Sequence, residues 1–174
     1  MKVSILVEQI YAHPFEDGNG RIGRALSEKI LIYHSNSFFP ISLSKAIESK
    51  KKMYYAQLEQ AQKTLDMTQW ITYFVDVVLL AFEQTEEWTE FVIKKANFYD
   101  TYGSSLNVRQ NKVIRRMLDE GPKGFEGGIN AKKYISITGC SKATATRDLQ
   151  SLLAMGVLKH LSGAARGIRY QIVL

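Results

Sequence analysis

The sequence is poor in cysteine and histidine, and it has no long apolar run. With one cysteine, Cys140, among 174 residues, an intramolecular disulfide framework is excluded and a reducing compartment is favoured. The three histidines and this cysteine are scattered without the spacing of zinc ligands, which argues against a structural zinc site. No apolar run could span a bilayer, and no secretory signal is recognisable. We therefore expect a cytoplasmic protein with no membrane segment.

Charge is distributed unevenly along the chain, whose formal net charge is +6. Residues 109–174 hold 12 Lys and Arg against 4 Asp and Glu, while residues 1–108 hold 11 against 13. A basic final third beside a nearly neutral body indicates two modules with different partners. A basic face that is merely solvated is the alternative.

Residues 13–24, with the sequence HPFEDGNGRIGR, combine a base, a carboxylate, glycines, an amide and two guanidiniums. Apolar helical patterns precede and follow this stretch, so it is predicted to be a loop joining two helices. The glycines let the backbone turn and approach a ligand closely. Free N–H groups at the start of the second helix would face an anion, aided by the helix dipole. This inventory suits a polyphosphate and a metal ion.

Each polar side chain of the loop suits one part of such chemistry. His13 is neutral near pH 7, so it can accept a proton from an incoming hydroxyl as a general base. Asp17 is a hard oxygen ligand of the kind that Mg²⁺ shares with substrate phosphates, although a turn or N-cap role is the alternative. Phe15 is apolar between polar neighbours, and we expect it to anchor the loop in the core.

The residues after Asp17 are candidates for phosphate binding. Gly18, Asn19 and Gly20 can expose successive N–H groups to phosphate oxygens, and the Asn19 amide adds a donor. Arg21 and Arg24 lie one helical turn apart, so they share a face and can clamp the outer phosphates.

This stretch resembles the signature of the Fic family, His-Pro-Phe-x-(Asp/Glu)-Gly-Asn-Gly-Arg-x-x-Arg, at every specified position. The resemblance implies transfer of AMP from Mg²⁺–ATP to a hydroxyl of a target protein, with His13 as the base and Asp17 as the metal ligand. Weaker similarities extend to about residue 95. Among them, the Tyr54-Tyr55 pair implies an aromatic contact with the nucleotide. We expect one of these two tyrosines to be an ordinary core residue.

Met1 lies only a dozen residues ahead of His13. We therefore expect the helices and β-hairpin flap that precede the motif in the family to be missing, so that residues 1–100 form the second part of a Fic core. Whether this chain is an active enzyme alone stays open. Another nucleotide, another phosphate-containing donor, or removal of AMP are further uses of the same site that the residues do not separate.

Up to residue 100 the patterns predict helices alone, including separate helices over 69–82 and 85–99. Residues 101–108 are predicted to be a linker. Residues 109–174 show helix, helix, turn, helix and a terminal β-hairpin, with Asn107, Asn130 and Ser141 as N-caps. This order resembles a winged helix-turn-helix domain. The expected fold is therefore mainly α, a partial Fic-type helical bundle followed by a small α+β winged helix.

The resemblance of residues 141–149 to a recognition helix predicts that this helix meets duplex DNA. The side chains expected on its outer face are Ser141, Lys142, Thr144, Ala145 and Arg147. On the hairpin, Arg166 and Arg169 could reach a phosphate or a minor groove. The alternatives are a winged helix used for protein contacts, and a DNA-binding regulator whose Fic half senses nucleotide or dimerises without catalysis. Self-association is left open.

Overall fold

A computed structural model describes residues 15–35, 40–64, 66–161 and 168–174. His13 and Arg166 lie outside these residues. Within them the chain is mainly helical with one small two-stranded sheet, which confirms the predicted fold class. The helices are α1 (Asn19–Ser35), α2 (Leu43–Glu48), α3 (Lys51–Ala61), α4 (Thr68–Tyr102), α5 (Val108–Leu118), α6 (Ala131–Thr138) and α7 (Lys142–Ala154). The strands are β1 (Leu158–His160) and β2 (Tyr170–Ile172), and they pair antiparallel.

The chain divides into two compact units, an N-terminal unit (Met1–Glu87) and a C-terminal unit (Trp88–Leu174). The division falls inside α4, whereas composition predicts it after residue 100. The prediction of separate helices over 69–82 and 85–99 is wrong, because α4 continues through both. Thr85 does not start a helix: its hydroxyl donates to the carbonyl of Ala81 one turn earlier, as a threonine inside a helix does.

The predicted linker is also more regular than its composition indicates. Residues 101 and 102 complete α4, and a 3₁₀ turn, Gly103–Ser105, follows directly. Asn107 then caps α5 in a capping box, in which its side chain accepts from the N–H of Gln110 while the Gln110 side chain accepts from the N–H of Asn107. Short polar residues here end one helix and start the next, so little of the segment is irregular.

The core of the N-terminal unit is built around Trp70 on α4. The indole stacks against Phe74 and lies 5.7 Å, between ring centroids, from Tyr54 of α3. Leu43 of α2 is fully buried in the same cluster. Burial also raises the pKa of the neighbouring Tyr73 hydroxyl, which has no hydrogen-bond partner. This core attaches α2 and α3 to the first half of α4.

In the C-terminal unit, α6 and α7 are joined by a tight turn. Gly139 ends α6 in the left-handed region, with φ of 73°, and the Ser141 side chain caps α7 by accepting from the N–H of Thr144. The cap predicted at Asn130 is also confirmed. Helix α7 packs against β1, and in the sheet Leu158 is opposite Ile172.

Asp148 of α7 joins three helices of this unit through one buried carboxylate. It accepts from the Tyr134 hydroxyl of α6 at 2.9 Å and from the Asn107 amide at 3.2 Å. Arg109 of α5 donates Nε at 2.9 Å and Nη2 at 3.3 Å. Burial raises the pKa of Asp148, but these hydrogen bonds outweigh it and hold that pKa below its usual value. The carboxylate therefore stays charged and fixes α7 against α5 and α6.

Candidate nucleotide-binding loop and nucleic-acid interface

The described part of the loop is closed by a ring between Phe15 and Asn19. The Asn19 Oδ1 accepts from the N–H of Phe15 at 3.0 Å, and its Nδ2 donates to the Phe15 carbonyl at 2.6 Å. The amide predicted to be a phosphate donor therefore holds the loop in shape. The Phe15 side chain is 50% exposed, so the expectation that it anchors the loop in the core is wrong. Backbone atoms of Phe15, rather than its ring, fix the loop.

Gly18 is where the loop turns into α1. Its φ of +85° lies in the left-handed region, which glycine adopts without steric cost. Its carbonyl accepts from the N–H of Ile22, the first hydrogen bond of the helix. Since the first turn of a helix has no internal acceptors for its N–H groups, the backbone from Asn19 onwards presents donors at the positive end of the helix dipole.

Two guanidiniums lie over the two glycines at this helix end. Arg21 Nη2 is 3.7 Å from where a Cβ on Gly18 would lie, and Arg24 Nη1 is 3.3 Å from the corresponding point on Gly20. A side chain at Gly20 would press on the Arg24 guanidinium, whereas at Gly18 it would meet Arg21 at an ordinary contact distance and the positive φ is what favours glycine. The glycines thus leave room for positive charge close to the backbone, and both predicted arginines gather at the start of α1.

Asp17 is engaged on both of its oxygens. Oδ1 accepts from the N–H of Gly18 at 2.6 Å, and Oδ2 accepts from Arg21 Nη2 at 3.0 Å. The Arg21 and Asp17 side chains are 73% and 92% exposed. An ion pair so open to water contributes little stability and can be exchanged for another partner.

Arg24 is tied to α2, a contact that the sequence did not reveal. Its Nε donates to the Ser44 hydroxyl at 3.1 Å. Glu28, one turn further along α1, accepts from the N–H of Leu43 at 2.7 Å and so caps the start of α2. Two serines, Ser42 and Ser44, lie in this stretch, and nothing in their spacing tells which one meets the arginine.

A metal ion in this loop would rely on Asp17. Across residues 15–35, 40–64, 66–161 and 168–174, no three His, Cys, Asp or Glu side chains are grouped as metal ligands. One exposed carboxylate beside two arginines and free N–H groups fits Mg²⁺ that arrives with phosphate oxygens, because Mg²⁺ takes few protein ligands in nucleotide sites.

The tyrosine pair separates into a core residue and a surface residue. Tyr54 is only 7% exposed and packs on Trp70, while Tyr55 is 56% exposed. Of the two candidates for a nucleotide contact, Tyr55 is the one whose ring is open to solvent.

The side chains at the start of α7 that were predicted to meet DNA also divide into exposed and buried ones. Ser141, Lys142 and Arg147 are exposed, and Thr144 is half-buried with its hydroxyl 3.0 Å from that of Ser141. Ala145 is fully buried in the core, so placing it on the outer face was wrong. The exposed residues flank the buried position, as the helical period requires.

Arg169 lies just before β2, at the base of the hairpin. Its carbonyl accepts from the N–H of Leu161 at 2.9 Å, which closes the described part of the hairpin. Its side chain is half-buried, and its Nε is buried without a hydrogen-bond partner. This arginine is therefore partly enclosed by the fold rather than fully open to solvent.

No helix among the described residues is both long and apolar enough to cross a membrane. A family model, that of the Fic/DOC family, matches residues 3–31. The match contains all of residues 13–24, of which the last six form the start of α1, and it ends before α2. Over the part of the chain that carries the site, it supports a Fic-domain protein.

Proposed function

We propose that the N-terminal unit carries a Fic-type site that transfers AMP from Mg²⁺–ATP to a hydroxyl group of a target protein. The observation that supports this best is the start of α1, where Gly18 opens the helix and Asp17, Arg21 and Arg24 gather around it. These residues all lie within the stretch that the Fic/DOC family model matches.

Phosphate binding would require two exchanges of partner. Arg21 would leave Asp17 for a phosphate oxygen, and Arg24 would do the same from Ser44. Both contacts are exposed to water, so little is lost when they break. A guanidinium binds phosphate more strongly than a neutral hydroxyl, because the hydrogen bonds are assisted by charge. The backbone N–H groups of the first turn would bind a further oxygen.

The first exchange would also release the Asp17 carboxylate for a metal ion. Bound Mg²⁺ would neutralise charge on the phosphates. The protein itself would position the nucleotide and stabilise developing charge, with little covalent chemistry of its own.

In the transfer step, the target hydroxyl oxygen would attack the α-phosphorus of ATP. The bond between this phosphorus and the oxygen bridging to the β-phosphate would break, so that pyrophosphate leaves. The hydroxyl proton would pass to His13, in the role that the family resemblance gives it. The exposed Tyr55 ring is the candidate for contact with the base.

Titration of the full chain with ATP, with and without Mg²⁺, tests the phosphate site. We expect metal-dependent binding that Asp17→Ala and Arg24→Ala weaken at least tenfold. Asp76→Ala and Lys29→Ala, on exposed helix faces, are matched charge controls and should bind as the wild type does. Equal binding by all four variants would refute the site.

His13→Ala then separates chemistry from binding. We expect it to bind ATP normally but to give no AMP-modified protein when incubated with labelled ATP and a lysate. Transfer that persists in this variant would remove His13 as the base. Nucleotide binding by the wild type without any transfer would instead favour a regulator whose Fic half senses nucleotide.

A second candidate function, duplex DNA binding by the C-terminal unit, is favoured by the charge of residues 109–174 and by the exposed Ser141, Lys142 and Arg147 on one helix. Helix, turn, helix and a paired hairpin is the order of a winged helix. Binding should fall steeply with salt, because each phosphate contact releases counterions. No binding to any duplex at low salt would leave protein contacts as the role of this unit.

A further inference from the structure

The loop between α5 and α6 brings two cations together at one exposed glycine. If a Cβ were added to Gly127, it would lie 3.3 Å from Arg169 Nη1 and 3.8 Å from Lys133 Nζ. Both nitrogens are therefore within 4 Å of one point, although the two residues are 36 positions apart in the sequence. Gly127 is exposed, and Lys133 and Arg169 are half-buried.

The Lys133 ammonium is fixed in place, and Arg169 is positioned through its backbone. Lys133 Nζ donates to the carbonyls of Glu126 at 2.7 Å and Gly128 at 3.0 Å, and it lies 4.5 Å from the centre of the Phe125 ring. These contacts use two of its three donors. Arg169 is held at the base of the hairpin by its backbone. Two positively charged groups that reach the same point repel each other, and an anion placed between them removes this repulsion.

The described residues supply no acidic partner for these two cations. Among the described residues, no Asp or Glu forms an ion pair with Lys133 or Arg169. The Arg169 Nε is buried and has no hydrogen-bond partner among the described residues, which is unusual for a charged donor. One ammonium donor and unused guanidinium donors therefore lie beside Gly127. Because this glycine has no side chain, a ligand can reach them from solvent.

We infer that Gly127, Lys133 and Arg169 form a binding site for a phosphate group of a nucleic-acid backbone. One phosphate oxygen bridging Lys133 Nζ and the Arg169 guanidinium satisfies both cations. Glycine is favoured at position 127 because its φ of +65° strains any other residue, and a Cβ there would press on the Arg169 guanidinium. The inference rests on the proposed DNA binding of the C-terminal unit, and it adds Lys133 and the α5–α6 loop to the interface.

The first experiment titrates the full chain with inorganic phosphate and monitors the titration by ¹H–¹⁵N NMR. The shift of each amide then reports on binding at its own position. We expect the amides of Gly127 and Gly128 to shift with phosphate, and these shifts to be lost in Arg169→Gln. The Arg169 side chain makes no hydrogen bond that the fold needs. Lys112→Gln, on the exposed side of α5, removes the same charge elsewhere and should keep the shifts. No shift in the wild type would overturn the site.

The second experiment measures the affinity for a duplex over a series of salt concentrations. Loss of one phosphate contact should reduce the slope of log affinity against log salt by about 0.9 in Arg169→Gln. Gly127→Ala keeps every charge but places a methyl group where the phosphate would approach, so its slope should fall by a similar amount. The slope of Lys112→Gln should stay that of the wild type. A wild-type slope in both Arg169→Gln and Gly127→Ala would overturn the inference yet leave DNA binding intact. Phosphate shifts without any duplex binding would overturn the assignment to nucleic acid and the proposed DNA-binding function together.

Discussion

Replacing Asp148 by alanine should destabilise the C-terminal unit by about 3 kcal/mol. The substitution leaves the hydroxyl of the fully buried Tyr134 without its acceptor, which costs about 1–3 kcal/mol, and removes a hydrogen bond to Asn107 worth about 1 kcal/mol. Arg109 also loses its partner, but its side chain is 46% exposed and water can replace the carboxylate, so we add nothing for it.

The stability should be measured by urea unfolding, with hydrogen exchange read peptide by peptide so that the loss is assigned to the C-terminal unit. Tyr134→Phe, which removes only the hydroxyl, is the graded comparison and should cost about 1 kcal/mol. A loss below about 0.5 kcal/mol in Asp148→Ala, the range of ordinary surface substitutions, would refute the view that this carboxylate joins the three helices.

The same network predicts a pH dependence. Because the folded pKa of Asp148 lies below the unfolded value of about 3.9, its contribution is fully present above about pH 4 and is lost as the pH falls towards the folded pKa. Burial and the bond to Asp148 raise the pKa of Tyr134, so its contribution is present below about pH 10 and is lost at higher pH. Asp148→Asn should flatten the acid limb of a urea-midpoint profile, and an acid limb identical to the wild type would contradict the assignment.

Three further substitutions test other parts of the molecule. Gly18→Ala should weaken ATP binding in a titration and lower stability by about 1 kcal/mol, because alanine resists a φ of +85°; unchanged binding would show that the turn can be made otherwise. Glu28→Ala should cost about 1 kcal/mol in a thermal melt through loss of the cap on the Leu43 N–H, and a melt like the wild type's would rule that cap out as stabilising. Leu152→Ala, at a fully buried position, should cost about 2–5 kcal/mol in urea unfolding, and a smaller loss would mean that the core closes around the cavity.

The contacts inside the candidate loop are local, although the sequence analysis did not predict them: it gave Asp17 to a metal ion and the Asn19 amide to a phosphate. Asp17 and Arg21 are four residues apart and form an ion pair, and Phe15 and Asn19, also four residues apart, are joined by two hydrogen bonds. The cap at Ser141 was predicted, since a cap joins residues three apart. Contacts that span three or four residues follow from backbone geometry alone.

Contacts between distant segments were not predictable. Arg24 meets Ser44 across 20 residues, and Arg109 meets the buried Asp148 across 39. The burial of Ala145, by contrast, could have been predicted, because Leu149 and Leu152 follow it at four and seven residues and so lie on the same face of α7.

The sequence by itself therefore determined the helical character of the chain, the positions of the caps and the chemistry available in residues 13–24. Only the tertiary structure decided which of Tyr54 and Tyr55 enters the core and which cations come together at Gly127. The physical reason is range: hydrogen bonds within a turn depend on neighbours in the sequence, whereas burial and the convergence of charges depend on how the elements pack.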